Sequence, residues 1–233
     1  MHNEESMQSL PKRLDCTATR DKLSEEAKTP LLVLANAFDD LEIGIKKLKA
    51  SDNNVGEDLL LDSFCKACAP VSELFSSLGL AFKFAESEYA TKVKDLVDAS
   101  KKYKSLRTLL EDDVANGTVR SPGSHSRNLR RVRQGLDLIR ALFEQFLSSD
   151  DYTLKEAATM AYTKACAPFH TWAVRTAVYA GMYTLPSREQ LLLRLNENKQ
   201  SAAKKMRRYI TASVPVIEYI DSLYKSRDIT LDW

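Results

Sequence analysis

Residues 125–148 read HSRNLRRVRQGLDLIRALFEQFLS. The apolar residues of this stretch recur at steps of three and four, the period of an amphipathic helix. This stripe consists of Leu129, Val132, Leu136, Ile139, Phe143 and Phe146. Leu138 and Leu142 lie about half a turn away, in angular register with Arg127 and Arg131. Since a helix that is apolar on two sides usually packs between layers, this helix is expected to bury both faces. One face of this helix is cationic at its beginning and apolar farther along.

The same helical period extends over most of the chain. Only 7 Gly and 7 Pro occur among 233 residues, a composition that favours helices, and no run alternates with period two as a strand would. The predicted helices cover residues 31–50, 58–78, 79–100, 102–116, 125–148, 153–182 and 187–226. The Asn116-Gly117 pair is the strongest turn signal, and Pro168 and Pro215 are expected to kink or divide the last two segments. The predicted fold class is all-α, with one domain over residues 30–233.

Charge and hydropathy limit the classes of function. A formal net charge of +2 is too small to indicate a nucleic-acid binder by bulk electrostatics, so any basic site must be local. Residues 1–29 are polar, lack the apolar run of a signal peptide and are expected to form a flexible extension. No stretch approaches the roughly 18 apolar residues of a membrane span. These observations predict a soluble, cytoplasmic protein that does not bind nucleic acid.

Four cysteines raise the question of a metal or redox site. Cys65 and Cys68 form a CxxC pair in a helical segment, with no second pair or histidine motif to complete a zinc site. No strand precedes them, as it would in a thioredoxin-like motif. We therefore expect these two residues, Cys16 and Cys166 to be small buried side chains, with no metal and no cofactor.

Two ionic pairs have spacings that place their members on one helical face. Glu88 and Lys92 are four residues apart, and so are Arg127 and Arg131, so each pair spans roughly 40° around its helix axis. The first pair could be an ordinary surface ion pair, and the second could be part of a solvated face. Two guanidiniums one turn apart could equally bind one phosphate through charge-assisted hydrogen bonds. His170 could be a hydrogen-bonded core histidine or a functional one.

Three separated motifs carry a resemblance to a known family. They are residues 77–92 (SLGLAFKFAESEYATK), 123–131 (GSHSRNLRR) and 167–175 (APFHTWAVR). In this order they resemble the glycolipid transfer protein superfamily, and within it the plant accelerated-cell-death type of ceramide-1-phosphate transfer protein. The similarity runs from about residue 30 to Trp233.

The resemblance implies a two-layer helical sandwich that encloses the hydrocarbon chains of a sphingolipid. It implies that Lys92, Arg127 and Arg131 hold the lipid phosphate. It also implies that Glu88 and His170 bind the ceramide amide, the first as acceptor of the N–H and the second as donor to the acyl oxygen. Trp172 resembles a family tryptophan at the membrane-facing rim. An amide N–H and its carbonyl suit a carboxylate beside a histidine, so these roles agree with the residue types.

The sequence departs from the family pattern at two positions. Glu88 stands where the family usually has aspartate, and its side chain is one methylene longer. Arg130 stands where the family usually has an apolar residue. We expect Arg130 to face solvent or to add attraction toward anionic membrane lipids.

The residues provide no catalytic mechanism, since no nucleophile has a recognisable base and no phosphate-binding loop motif occurs. The leading hypothesis is intermembrane transfer of ceramide-1-phosphate or its phytoceramide form by a cytoplasmic monomer that contacts membranes transiently. A second hypothesis is a lipid-sensing protein that binds the same ligand and recruits partners in cell-death or defence signalling. A third is a helical scaffold that binds no lipid.

Overall fold

The computed structural model describes residues 29–50 and 58–233 and confirms the all-α class. Ten α-helices occur within these ranges, together with three short 3-10 turns at Leu80–Phe82, Ala167–Phe169 and Met182–Thr184. The helices are α1 Pro30–Ala50, α2 Leu61–Cys68, α3 Val71–Ser77, α4 Lys83–Ala99, α5 Leu106–Ala115, α6 His125–Ser148, α7 Leu154–Ala165, α8 Trp172–Gly181, α9 Arg188–Arg194 and α10 Lys199–Lys225. Most of the predicted extension, residues 1–28 with Cys16, lies outside the described residues. None of the described helices is both long and apolar enough to cross a bilayer.

Helix α6 lies at the centre of the molecule and buries two different faces, as its sequence predicts. Leu136 on the main stripe is adjacent to α10, because its carbonyl accepts a hydrogen bond from the buried Tyr209 hydroxyl at 3.0 Å. The Tyr209 ring packs edge-on against Phe143 of α6 and Phe38 of α1, which places α1 and α10 on this side of α6. Leu138 and Leu142 instead line a cavity on the other side. The two apolar faces therefore produce the sandwich.

The start of α6 is fixed by side chains that satisfy its free backbone N–H groups. The Ser124 hydroxyl accepts from the Arg127 N–H at 3.2 Å, and the buried Asp113 carboxylate accepts from the Ser126 N–H at 2.7 Å. Asp113 belongs to α5, which ends at the predicted turn, where Gly117 has the left-handed φ of 68° that favours glycine. These caps set the axial position of the arginines in the first turns of α6.

Three predicted helices are divided in the structure, and the cause differs among them. Residues 58–78 form two short helices because Pro70 has no N–H to continue the first one. The segment 153–182 is interrupted around Pro168, as predicted. The segment 187–226 is divided at Asn196, which has a left-handed φ of 54°. Pro215 lies inside the continuous helix α10 and does not divide it, which leaves a kink as the remaining form of the expectation.

Candidate functional site

The site is built where α4 and α6 pack against each other in antiparallel directions. Near the start of α6, the Asp95 carboxylate of α4 contacts His125 Nδ1 at 2.9 Å and accepts from Asn128 Nδ2 at 2.8 Å. Farther along α6, Gly135 faces the Tyr89 ring of α4. Lys92 lies between Asp95 and Tyr89 on α4, and Arg131 lies between Asn128 and Gly135 on α6. The packing therefore places Lys92 and Arg131 at similar heights along the axes of the two helices.

Gly135 is what allows α4 and α6 to approach this closely. A Cβ atom at this position would lie 2.6 Å from Tyr89 Cε2, well inside van der Waals contact. Tyr89 itself is buried and donates its hydroxyl to the Cys68 carbonyl at 3.3 Å, so its ring has little freedom to move. The absence of a side chain at Gly135 therefore permits the close contact of α4 and α6 next to the cationic residues.

Arg127 and Arg131 are held by neutral groups. Arg127 Nη1 donates to the Arg120 carbonyl at 2.6 Å, and Arg131 Nη1 donates to Gln134 Oε1 at 3.0 Å. Gln134 is buried and donates to the Ala165 carbonyl of α7 at 3.3 Å. Burial and the nearby charge of Arg127 lower the pKa of Arg131. Two guanidiniums oriented in this way, with no carboxylate of the described residues in ion-pair contact, are suited to bind an anion.

Glu88 and Lys92 form the ion pair that their spacing allows, with Lys92 Nζ at 3.2 Å from Glu88 Oε2. The Lys92 side chain is 27% exposed and the Glu88 side chain is 53% exposed. The Glu88 carboxylate therefore bonds to Lys92 in this conformation. An incoming anion would compete with Glu88 for Lys92.

His170 follows the turn Ala167–Phe169 and lines the cavity. Its Nδ1 atom lies 2.8 Å from the hydroxyl of Tyr162 on α7. Burial lowers the pKa of His170, and the positive charge of Arg131 lowers it further. A neutral imidazole with one nitrogen bonded to Tyr162 retains its other nitrogen for a ligand.

His170 is one of the residues that line an apolar cavity of about 120 Å³. The apolar lining residues come from α3, α4, α6, α7, α8 and the turns between them. This lining comprises Phe75, Leu78, Phe82, Ala85, Leu138, Ile139, Leu142, Ala158, Ala161, Tyr162, Cys166, Val178 and Met182. Trp172 begins α8 two residues after His170 and is 74% exposed, with the Thr171 hydroxyl capping the helix.

Two side chains of the site, Gln134 and Tyr162, were not predicted from the sequence. Arg130 is only 3% exposed, so the expectation that it faces solvent was wrong. Gln134 lies three residues after Arg131, a spacing that could have indicated its contact with that guanidinium. Tyr162 had no such signal, because a break in the helix separates it from His170. The contact exists only because the chain turns back at residues 166–171.

The three described cysteines are buried, as predicted, and form no disulfide with one another. Burial raises the pKa of Cys65 and Cys166 to about 12, and it raises that of Cys68 as well. A high pKa keeps the thiol protonated, which makes it a poor nucleophile. These residues act as small apolar side chains in the core.

Known proteins resemble this chain in sequence and in fold. The family model described as glycolipid transfer protein matches residues 59–197. The ACD11 homolog protein of Arabidopsis thaliana is 66% identical over 205 residues, which cover 88% of this chain and 89% of that protein. Accelerated cell death 11 of Arabidopsis thaliana is 43% identical and covers 89% of this chain and 98% of its own length. A mutant of the latter, crystallised with C12 ceramide-1-phosphate, superposes with a TM-score of 0.83 at 42% identity, covering 88% of this chain and 100% of the mutant chain.

Proposed function

The chain belongs to the glycolipid transfer protein family, and we propose that it transfers a phosphosphingolipid, ceramide-1-phosphate or its phytoceramide form, between membranes. One observation carries the proposal: Arg127 and Arg131 have only neutral partners, and Gln134, the partner of Arg131, donates to the Ala165 carbonyl beside the cavity-lining Cys166. The combination suits a ligand with a phosphate head and hydrocarbon chains. Crystallisation of a 42% identical relative with C12 ceramide-1-phosphate supports the same ligand class.

In this proposal the phosphate is bound by Lys92, Arg127 and Arg131. A phosphomonoester carries between one and two negative charges near neutral pH, so these cations offset it. The phosphate displaces Glu88 from Lys92, and the freed carboxylate accepts from the ceramide N–H. His170 donates to the acyl oxygen.

The hydrocarbon chains enter the cavity between α6 and α7. Burial of each methylene contributes about 0.8 kcal/mol, which offsets the loss of contacts with the bilayer. Trp172 contacts the membrane surface, where an indole ring prefers to lie. We place this activity in the cytoplasm, at the surfaces of membranes, and assign it to a monomer. The process consists of extraction and delivery of the lipid, with no chemical step.

Transfer of fluorescent ceramide-1-phosphate between vesicles tests the proposal. We expect Arg131→Ala and Lys92→Ala to abolish transfer while the circular dichroism spectrum stays that of the folded protein. Lys94→Ala is the matched control, because Lys94 is on the same helix as Lys92 and is exposed on a different face. Equal transfer of a neutral glycosylceramide by the unsubstituted protein would contradict the assignment of a phosphate head group.

A further inference from the structure

Arg130 is a buried cation whose direct partners are all neutral. Its Nη2 donates to the Leu231 carbonyl at 2.7 Å, and its Nη1 contacts Gln134 Oε1 at 3.4 Å. The guanidinium lies 4.7 Å from the ring centre of Phe169 and 4.9 Å from that of Trp233. Its Nε atom is buried and has no hydrogen-bond partner.

A charge in this position is costly unless something balances it. Arg133, one turn away on α6, shows the usual solution, because Asp221 and Asp137 hold it in ion pairs at 2.7 and 2.9 Å. Arg130 has no such ion pair among the described residues, and the Asp232 carboxylate acts on it only from beyond contact distance. Burial lowers the pKa of Arg130 to about 10, and the charges of Arg131 and Arg133 contribute to this shift. The protein itself therefore leaves this charge largely uncompensated.

The geometry connects Arg130 to the phosphate site through Gln134. The same Oε1 atom of Gln134 contacts Arg131 Nη1 at 3.0 Å and Arg130 Nη1 at 3.4 Å, so the two guanidiniums converge on one oxygen. An anion bound by Arg131 would lie close to the positive charge of Arg130. Low exposure to solvent keeps that charge from being fully screened.

We propose that Arg130 is part of the phosphate site, as a buried cation whose counter-charge is the phosphomonoester of the bound lipid. This inference rests on the proposed function and goes beyond it by assigning a fourth cation. Arg130 does not touch the phosphate in this arrangement. It raises the positive potential behind Arg131, which favours a doubly charged head group over a singly charged or neutral one.

Arg130→Met tests the proposal, because methionine keeps an unbranched apolar chain between the two rings and removes the charge. The first measurement is a phosphorus NMR titration of bound ceramide-1-phosphate. The second pKa of a phosphomonoester, near 6 in water, is depressed by nearby cations. We expect this pKa to be higher in Arg130→Met than in the unsubstituted protein. We also expect the affinity for ceramide-1-phosphate, relative to that for neutral ceramide, to fall on the order of tenfold. This is the effect expected from loss of one partly screened interaction between two charges.

A matched control removes an arginine elsewhere. Arg207→Met lowers the net charge by the same amount at an exposed position on α10 and should leave both measurements unchanged. Arg130→Lys keeps the charge without the planar group, and its bound phosphate should titrate close to that of the unsubstituted protein. Excess inorganic phosphate competes with the phosphate of the lipid for the same cations. If it weakens lipid binding by the same factor in Arg130→Met and in the unsubstituted protein, Arg130 does not affect binding of the anion and the proposal fails.

Thermal unfolding distinguishes this role from a purely structural one. Removal of an uncompensated buried charge should leave the lipid-free Tm unchanged or raise it, and ceramide-1-phosphate should then raise the Tm less than in the unsubstituted protein. An Arg130→Met protein that fails to fold, or one that binds ceramide-1-phosphate as the unsubstituted protein does, overturns the inference. Absence of ceramide-1-phosphate binding by the unsubstituted protein would instead contradict the proposed function.

Discussion

His170 is the residue whose chemistry depends most on a single neighbour. Its pKa is lowered by burial and by Arg131, so the imidazole is neutral near pH 7. Burial raises the pKa of Tyr162 to about 12, so the phenol keeps its proton, and we expect this hydroxyl to donate to Nδ1, which lies 2.8 Å away. The proton of the neutral imidazole then resides on Nε2. We therefore expect Tyr162 to favour the tautomer in which His170 can donate to an amide oxygen.

Tyr162→Phe should raise the pKa of His170, because the hydroxyl stabilises the neutral ring by donating to its lone pair. Nitrogen NMR of the imidazole during a pH titration measures both the pKa and the tautomer. We expect a mixture of tautomers in the variant and mainly the Nε2–H form in the unsubstituted protein. Tyr179→Phe is the control, since Tyr179 packs edge-on against Tyr162 while its hydroxyl contacts Thr163. An unchanged titration in Tyr162→Phe would show that the hydroxyl has no such role.

Glu88 is the second residue with a specific test. If its carboxylate accepts from the ceramide N–H, Glu88→Ala should reduce the preference for ceramide-1-phosphate over phosphatidic acid, which has a phosphate but no amide. One hydrogen bond to a charged group contributes about 1.5–3 kcal/mol, so the preference should fall by about tenfold or more. Competition between the two lipids in a vesicle transfer assay measures the ratio. The same ratio in both proteins would remove Glu88 from amide recognition.

At the scale of elements, the distance between α4 and α6 determines how the cations converge. Gly135→Ala places a methyl group against the Tyr89 ring. Overpacking of this kind typically lowers the free energy of unfolding by about 1–3 kcal/mol. We expect the variant to be less stable by this amount and to bind ceramide-1-phosphate more weakly, because Lys92 moves away from Arg131. Urea unfolding and lipid binding check the two effects.

Gly44→Ala is the matched control at this scale. Gly44 also lies within a helix, α1, but a Cβ atom there would meet nothing within 4 Å. Replacement of an unconstrained helical glycine should stabilise the protein by about 0.4–1 kcal/mol. Equal effects of the two substitutions would mean that close approach at Gly135 is not the cause.

At the scale of the whole molecule, the cavity and its proposed ligand differ in size. The cavity measures about 120 Å³, whereas pockets for small ligands usually measure about 300–1,000 Å³. The elements around it must therefore separate to admit two chains. Helix α8 contains no buried residue, and neither does the turn Leu80–Phe82, so these are the elements with the least packing to lose.

Hydrogen exchange should locate this opening. Without lipid, amides of α8 and of residues 80–82 should exchange faster than those of α10, which buries residues along most of its length. Ceramide-1-phosphate should slow exchange in α8 and in the turn while α10 changes little. Uniform slowing over all helices would indicate general stabilisation by the ligand and not local opening.

The sequence by itself determined the helical class, the two-faced central helix and the elements that carry Lys92, Arg127, Arg131 and His170. These properties are local, because helical period and i,i+4 spacing fix which side chains share a face. The proposed phosphate and amide contacts remain predictions. The resemblance to a known family pointed to these four residues among many charged side chains that periodicity treats alike.

Only the tertiary structure decided the surroundings of these residues. The burial of Arg130 depends on Phe169 and Trp233, which are distant in the chain and meet it only when α6, the turn after α7 and the segment after α10 come together. The Tyr162 contact with His170 likewise requires the turn between α7 and α8. Burial and counter-charge depend on all elements packed around a side chain, so no local pattern in the sequence could reveal them.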